Sequence, residues 1–190
     1  MSERMRKIAA KDRVAVITGA AKGIGAALAR EFAAMGMRLA LLDQDGDALE
    51  ALASMLPVEV LTVVGDVTDD TVLLHLRDQT LTRFRDVGLL VNNVGVLSKA
   101  GPWASPDEWD RTLNVNFRAV LSAQHLFVPH MIAANRPSAV VNLGSKEGIT
   151  TPPGHAAYSV AKAAVKVLTE QLAHELLVST GGTVSAHLLV

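Results

Sequence analysis

A short apolar, β-branched run, Arg13-Val14-Ala15-Val16-Ile17-Thr18, breaks into the glycine-rich segment Gly19-Ala20-Ala21-Lys22-Gly23-Ile24-Gly25. A helical pattern follows from Ala26 to Met35 and is stopped by Gly36. Strand, tight turn and helix in this order open a βαβ unit, and few folds accept that opening. Gly19 permits the sharp turn. Gly23 and Gly25 let backbone and a pyrophosphate come close at the helix N-terminus, where unpaired N–H groups and the helix dipole favour an anion. The spacing is G-x-x-x-G-x-G rather than the commoner G-x-G-x-x-G.

The alternation then continues. Arg38–Leu42 reads as a second strand, 48–55 as a short helix, Val58–Val64 as a third strand and 69–84 as an amphipathic helix. Val87–Val91 reads as a fourth strand and 139–143 as a fifth. Between them Ser105-Pro106-Asp107-Glu108 carries a capping box with Pro at the first helical position, opening a long helix to about Ala134. Asn114 and Asn116 inside that helix are poor helix formers and predict a local bend. A mostly apolar helix is expected over 156–178 and a sixth strand over 183–190. Strands apolar on both faces, alternating with helices, predict an α/β doubly wound parallel sheet of six strands covered on both sides.

Composition narrows the function classes. With 190 residues, 49% of them apolar, the chain fits a single domain, residues 1–190. A net charge of −1 gives no reason to expect nucleic acid or an acidic membrane surface as partner. Cysteine is absent, which excludes disulfides, thiolate metal sites and cysteine nucleophiles. The apolar runs are too short for a membrane span, and the charged stretch 1–13 lacks the apolar core of a signal peptide, so a cytoplasmic location is expected. His125 and His130 are five positions apart, off a common helical face, and no metal site is expected.

The candidate chemistry collects where strands end. Asp43 closes the second strand, 18 residues past the last glycine, where a carboxylate either accepts hydrogen bonds from a ribose and repels a 2′-phosphate, or serves as a helix cap or turn acid before Asp45-Gly46-Asp47. Lys22, in the glycine turn, is the group that could pair with such a phosphate. Asp66 and Val67 follow the third strand, and Asp66 either caps the next helix or borders an adenine. Asn92-Asn93-Val94-Gly95 follows the fourth strand, and Ser145 emerges from the fifth. Tyr158, the only tyrosine, stands four positions before Lys162, so phenol and ammonium share a helical face. A cation there favours the phenolate and makes Tyr158 a candidate acid/base, with the Ser145 hydroxyl placed to bind a substrate oxygen. His155, Lys146 and Glu147, near the pocket mouth, read as solvated loop residues or as residues that touch the substrate.

Taken together, Thr18-Gly19-x-x-x-Gly23-Ile24-Gly25, Asp66-Val67, Asn92-Asn93-Val94-Gly95, Val115-Asn116-Phe117, Ser145 and Tyr158-x-x-x-Lys162 resemble the short-chain dehydrogenase/reductase family over nearly the whole chain. The resemblance implies a Rossmann fold and NAD(P)-dependent interconversion of an alcohol with a ketone or aldehyde. Tyr158 would be the acid/base and Ser145 would hold the reacting oxygen. Lys162 would favour the phenolate and bind the nicotinamide ribose, and Asn116 would position a water that links Lys162 to solvent. The cofactor contacts would be Gly19, Lys22, Gly23, Ile24, Gly25, Asp43, Asp66, Val67, Asn93 and Gly95, together with Tyr158 and Lys162. Asp43 favours NAD over NADP. A homodimer or homotetramer through the two long helices is implied as well.

Two residues depart from the family pattern: Val94 stands where Ala is usual and Gly144 where a second Ser is common. The family also continues past the position of Val190 with a substrate-covering loop, a helix and a seventh strand. The chain is therefore expected to be part of a longer polypeptide, with an apolar sixth strand left as an edge and a face of strands four to six uncovered. A dinucleotide-binding or assembly module without turnover is the alternative reading, separated from an enzyme by the effect of Tyr158→Phe.

Overall fold

The computed structural model describes residues Glu3–Val190. Its elements run α1 (Glu3–Ile8), β1 (Val14–Thr18), α2 (Gly23–Ala34), β2 (Arg38–Asp43), α3 (Gly46–Ser54), β3 (Val60–Val64), α4 (Asp70–Phe84) and β4 (Leu89–Asn92). They continue α5 (Pro106–Leu113), a π-helical turn (Asn114–Arg118), α6 (Ala119–Ala134), β5 (Ser138–Leu143), α7 (Glu147–Thr150), α8 (Ala156–Thr180) and β6 (Val184–Leu189). The six strands form one sheet in the order β3-β2-β1-β4-β5-β6, every pair parallel. This is the expected doubly wound, Rossmann-type sheet. Strand order reverses between β1 and β4, and the carboxyl ends there part to leave a crevice.

Alternate residues of each strand feed two cores, which is why the strands read as continuous apolar runs. Val16, Leu42, Val63, Leu90 and Val140 pack with Leu73 and Leu76 of α4 and with Phe127 and Met131 of α6. Ile17, Leu39, Leu41 and Val91 pack on the other face with Ile8, Ala29 of α2 and Leu49 and Leu52 of α3. Burial of this kind contributes roughly 25 cal/mol per Å² of apolar surface and dominates the stability of the sheet. At the opposite end from the crevice, Arg13 and Asp86 form a buried ion pair at 2.8 Å, and Arg13 also donates to the Lys7 and Pro137 carbonyls.

β6 is an edge strand of the sheet, as expected. Residues 185, 187 and 189 lie on the α2/α3 face, paired in register with Ala139, Val141 and Leu143. Two of those three are polar: His187 is exposed and its Nε2 lies 3.0 Å from Ser185 Oγ. On this face Leu189 is 48% exposed and Val141 half-buried. The other face of β6 is covered, with Val184 and Ala186 in one core with Leu176 of α8.

Candidate active site

The crevice is a cavity of about 890 Å³. Its floor is the β1–α2 turn, through Gly19, Lys22, Gly23 and Ile24. Its walls include Asp43 and Asp45 after β2, Asp66 and Val67 after β3, and Asn93 and Gly95 after β4. Gly19 turns at φ +65°, a conformation costly for residues with a Cβ. The N-terminus of α2 carries no side-chain cap at Lys22, so its first N–H groups open on the cavity.

Gly25 is not part of the wall. A Cβ there would lie 2.1 Å from the Gly19 carbonyl oxygen and 2.7 Å from Asn93 Nδ2. The absence of a side chain there lets α2 close against its own turn. Asn93 locks the same turn from the other side: its Nδ2 donates to the Gly19 carbonyl at 2.8 Å and the Thr18 carbonyl at 3.2 Å. Asp43 completes the frame. One carboxylate oxygen accepts from the Ala21 amide at 2.9 Å and the other from the Asp45 amide at 3.1 Å. Lys22 pairs with the Asp45 carboxylate, whose other oxygen caps α3 through the Ala48 amide. Asp66 accepts from the backbone and hydroxyl of Thr68, and the cap of α4 falls instead to Asp69.

Asn116, Ser145, Tyr158 and Lys162 do not line this cavity; Asn116 and Lys162 meet beyond its Gly95 end. A Cβ on Gly95 would stand 3.0 Å from Asn116 Oδ1 and 3.4 Å from Lys162 Nζ. Asn116 is fully buried within the π-helical turn. Its amide donates to the Val96 and Thr112 carbonyls and its Oδ1 accepts from the Val96 amide, so its side chain clamps the loop after β4. Lys162 is 3% exposed and donates to the Leu143 carbonyl at the end of β5 at 2.8 Å. Burial lowers its ammonium from 10.5 to about 8, which leaves it mostly charged at neutral pH. That ammonium stands 5.8 Å from the centre of the Tyr158 ring, as the four-residue spacing predicts.

Ser145 lies two residues beyond Leu143. Its Oγ accepts from the Glu147 amide at 3.2 Å, which leaves its own proton to donate elsewhere. The loop after β5 is pressed onto α8, since a Cβ on Gly148 would come within 2.7 Å of the Lys162 backbone. A buried chain of hydrogen bonds sets the height of α8 on the sheet. Asn92 Nδ2 donates to Asn142 Oδ1, Asn142 Nδ2 to the Thr169 hydroxyl, and that hydroxyl to the Val165 carbonyl. Gly144 lies against Leu188 of β6 and Val190: a Cβ there would meet their side chains at 3.0–3.1 Å, so a serine would need them to give by a few tenths of an ångström.

Two readings need correction. His155 and Glu147 are half-buried rather than solvated, and His155 Nδ1 lies 2.9 Å from the Ser98 carbonyl oxygen. With the Ala157 amide donating to the Ala100 carbonyl, the loop after β4 is fastened to the start of α8, beside Tyr158. A third wall of the cavity went unread in the sequence. Asp107, Asp110, Arg111 and Asn114 line it from α5 and the π-helical turn. Their i, i+3, i+4, i+7 spacing is a polar helical stripe and was the available signal.

No helix among the described residues is long and apolar enough to cross a membrane. The profile of the short chain dehydrogenase family matches residues 13–185. A 1-deoxy-11-beta-hydroxypentalenate dehydrogenase of Streptomyces exfoliatus is 35% identical over 170 residues, 86% of this chain and 62% of that protein. Across the first four curated relatives the chain spans 57–62% of their length. A short-chain dehydrogenase/reductase of Burkholderia phymatum, solved in complex with NAD, superposes with a TM-score of 0.89 at 37% identity over 94% of this chain and 64% of that one. A metagenomic short-chain oxidoreductase in complex with NADP gives 0.87 at 31% identity, covering 95% and 82%. Motifs, sheet order and these likenesses agree, and the chain belongs to the short-chain dehydrogenase/reductase family of oxidoreductases.

Proposed function

We propose that the protein interconverts an alcohol with a ketone or aldehyde, using NAD and a tyrosine acid/base. The observation that carries this reading is the buried Lys162 ammonium over the Tyr158 ring, fastened to the end of β5 beside Ser145. The residues present suit a nicotinamide dinucleotide. Gly19, Gly23 and the uncapped start of α2 form a cradle for a pyrophosphate, and Asp43 offers carboxylate lone pairs to a ribose. Bound there, the nicotinamide accepts or gives the hydride. Tyr158 takes or returns the hydroxyl proton, Lys162 holds positive charge beside the phenol, and the free Ser145 proton hydrogen-bonds the reacting oxygen. Asn116 holds the loop that carries Gly95 against Lys162.

NAD is favoured because the Asp43 carboxylate, pinned by two backbone amides at the end of β2, would repel the extra phosphate of NADP. A homo-oligomer through α6 and α8 belongs to the same reading. NADH absorbance, followed over a panel of secondary alcohols and ketones, tests the function. Turnover that prefers NAD is expected, and absence of turnover with either cofactor across the panel would overturn the reading.

A further inference from the structure

Lys22 is the residue of the glycine turn that could bind a 2′-phosphate, yet its ammonium is already engaged. It pairs with Asp45, and both side chains line the adenosine end of the crevice with Asp43. Asp45 is held in place: its Oδ1 accepts from the Ala48 amide at 3.1 Å as the cap of α3, so its Oδ2 is presented to Lys22 by a fixed frame. The two groups answer each other. The Lys22 ammonium is raised by the hydrogen bond to Asp45, by its charge and by the charge of Asp43, while Asp45 is lowered by Lys22. The rest of the crevice offers little other positive charge. Its described walls hold the carboxylates of Asp43, Asp45, Asp66, Asp107 and Asp110 against Lys22 and Arg111.

We propose that Asp45 is a specificity-determining residue that holds Lys22 away from the 2′-phosphate and thereby biases the site toward NAD. The proposal rests on the dinucleotide reading above and adds a second determinant to Asp43. Asp43 acts by direct repulsion. Asp45 acts through the lysine: a 2′-phosphate entering the site has to compete with a carboxylate that a helix cap keeps in position. The pair is exposed, so its influence is that of one surface ion pair and not of a buried one.

Calorimetric titration of the protein with NAD and with NADP tests this. Asp45→Asn is the informative variant, because asparagine caps a helix as well as aspartate does. The ratio of the NADP to the NAD dissociation constant is expected to fall about two- to fivefold in Asp45→Asn, the range of one exposed ion pair. Adding Lys22→Ala to Asp45→Asn should abolish that gain. An unchanged ratio in Asp45→Asn, with NAD still binding, would overturn the role of Asp45 and leave the dinucleotide reading intact. A gain that survives in the double variant would show simple relief of negative charge and would equally overturn it. Failure of the unmodified protein to bind either nucleotide would overturn both this proposal and the reading beneath it.

Discussion

Burial lowers the Lys162 ammonium to about 8, while its Nζ donates to the Leu143 carbonyl and stands over the Tyr158 ring. The folded-state value lies below the unfolded one, so the unfolded chain binds more protons between about pH 8 and 10.5. The contribution of this residue to stability therefore rises with pH through that window and is least favourable below it. The shift corresponds to about 3 kcal/mol. Relative to Lys162→Met, the unmodified protein is expected to gain up to that amount between about pH 7 and about pH 10.5, read by urea unfolding. A constant difference between the two proteins would show that the ammonium is not desolvated in the fold. The Tyr158-to-Lys162 spacing made this contact legible in the sequence, because residues four apart on a helix meet. The lysine's hydrogen bond to Leu143 was not legible, since it depends on how α8 is set against β5. The Lys22–Asp45 pair was hidden for the same reason, being separated by 23 residues and joined by the approach of two loops.

The π-helical turn Asn114–Arg118 shows how an element serves a site. Asn114 and Asn116 marked an irregularity in a helical pattern, and the irregularity is an extra residue in the turn, not a break. The widened turn places Asn116 inward, where its side chain closes on both backbone groups of Val96. Asn116→Ala would remove the partner of the buried Thr112 carbonyl and of the partly exposed Val96 amide and carbonyl. A loss of about 3 kcal/mol is expected, with faster hydrogen exchange at the Val96 amide. A loss below about 1 kcal/mol, with exchange unchanged, would remove Asn116 from the role of loop clamp. Other elements were readable to within a few residues because their caps and glycines stand in the sequence: the Ser105–Glu108 capping box is formed as the motif predicts. The short helices α1 and α7 were missed, being only six and four residues long with little periodicity to display.

At the scale of the whole molecule, the sheet was the most legible feature, because burial on both faces leaves strands with no polar alternation to disguise them. The outer surfaces of α6 and α8 were legible in the same way. Leu121 on α6 and Val160, Val167 and Leu177 on α8 are apolar and 44–61% exposed, and assembly through these helices belongs to the proposed reading. Light scattering is expected to give a multiple of the 20.1 kDa chain mass, and Val167→Asp with Leu177→Asp should shift it toward the monomer. A monomer at micromolar concentration in the unmodified protein would contradict assembly through these helices. The polar stripe of α5 escaped notice because Asp107, Asp110, Arg111 and Asn114 face the crevice only once α5 has folded across its mouth.

The most direct test of the chemistry is Tyr158→Phe, with turnover and the NAD dissociation constant measured on the same preparation. The substitution removes one oxygen and leaves the ring beneath the Lys162 ammonium. Turnover is expected to fall by about 10²-fold or more, the usual contribution of a positioned acid/base, while NAD affinity changes little. Retained turnover in Tyr158→Phe would contradict the assignment of the proton to this phenol.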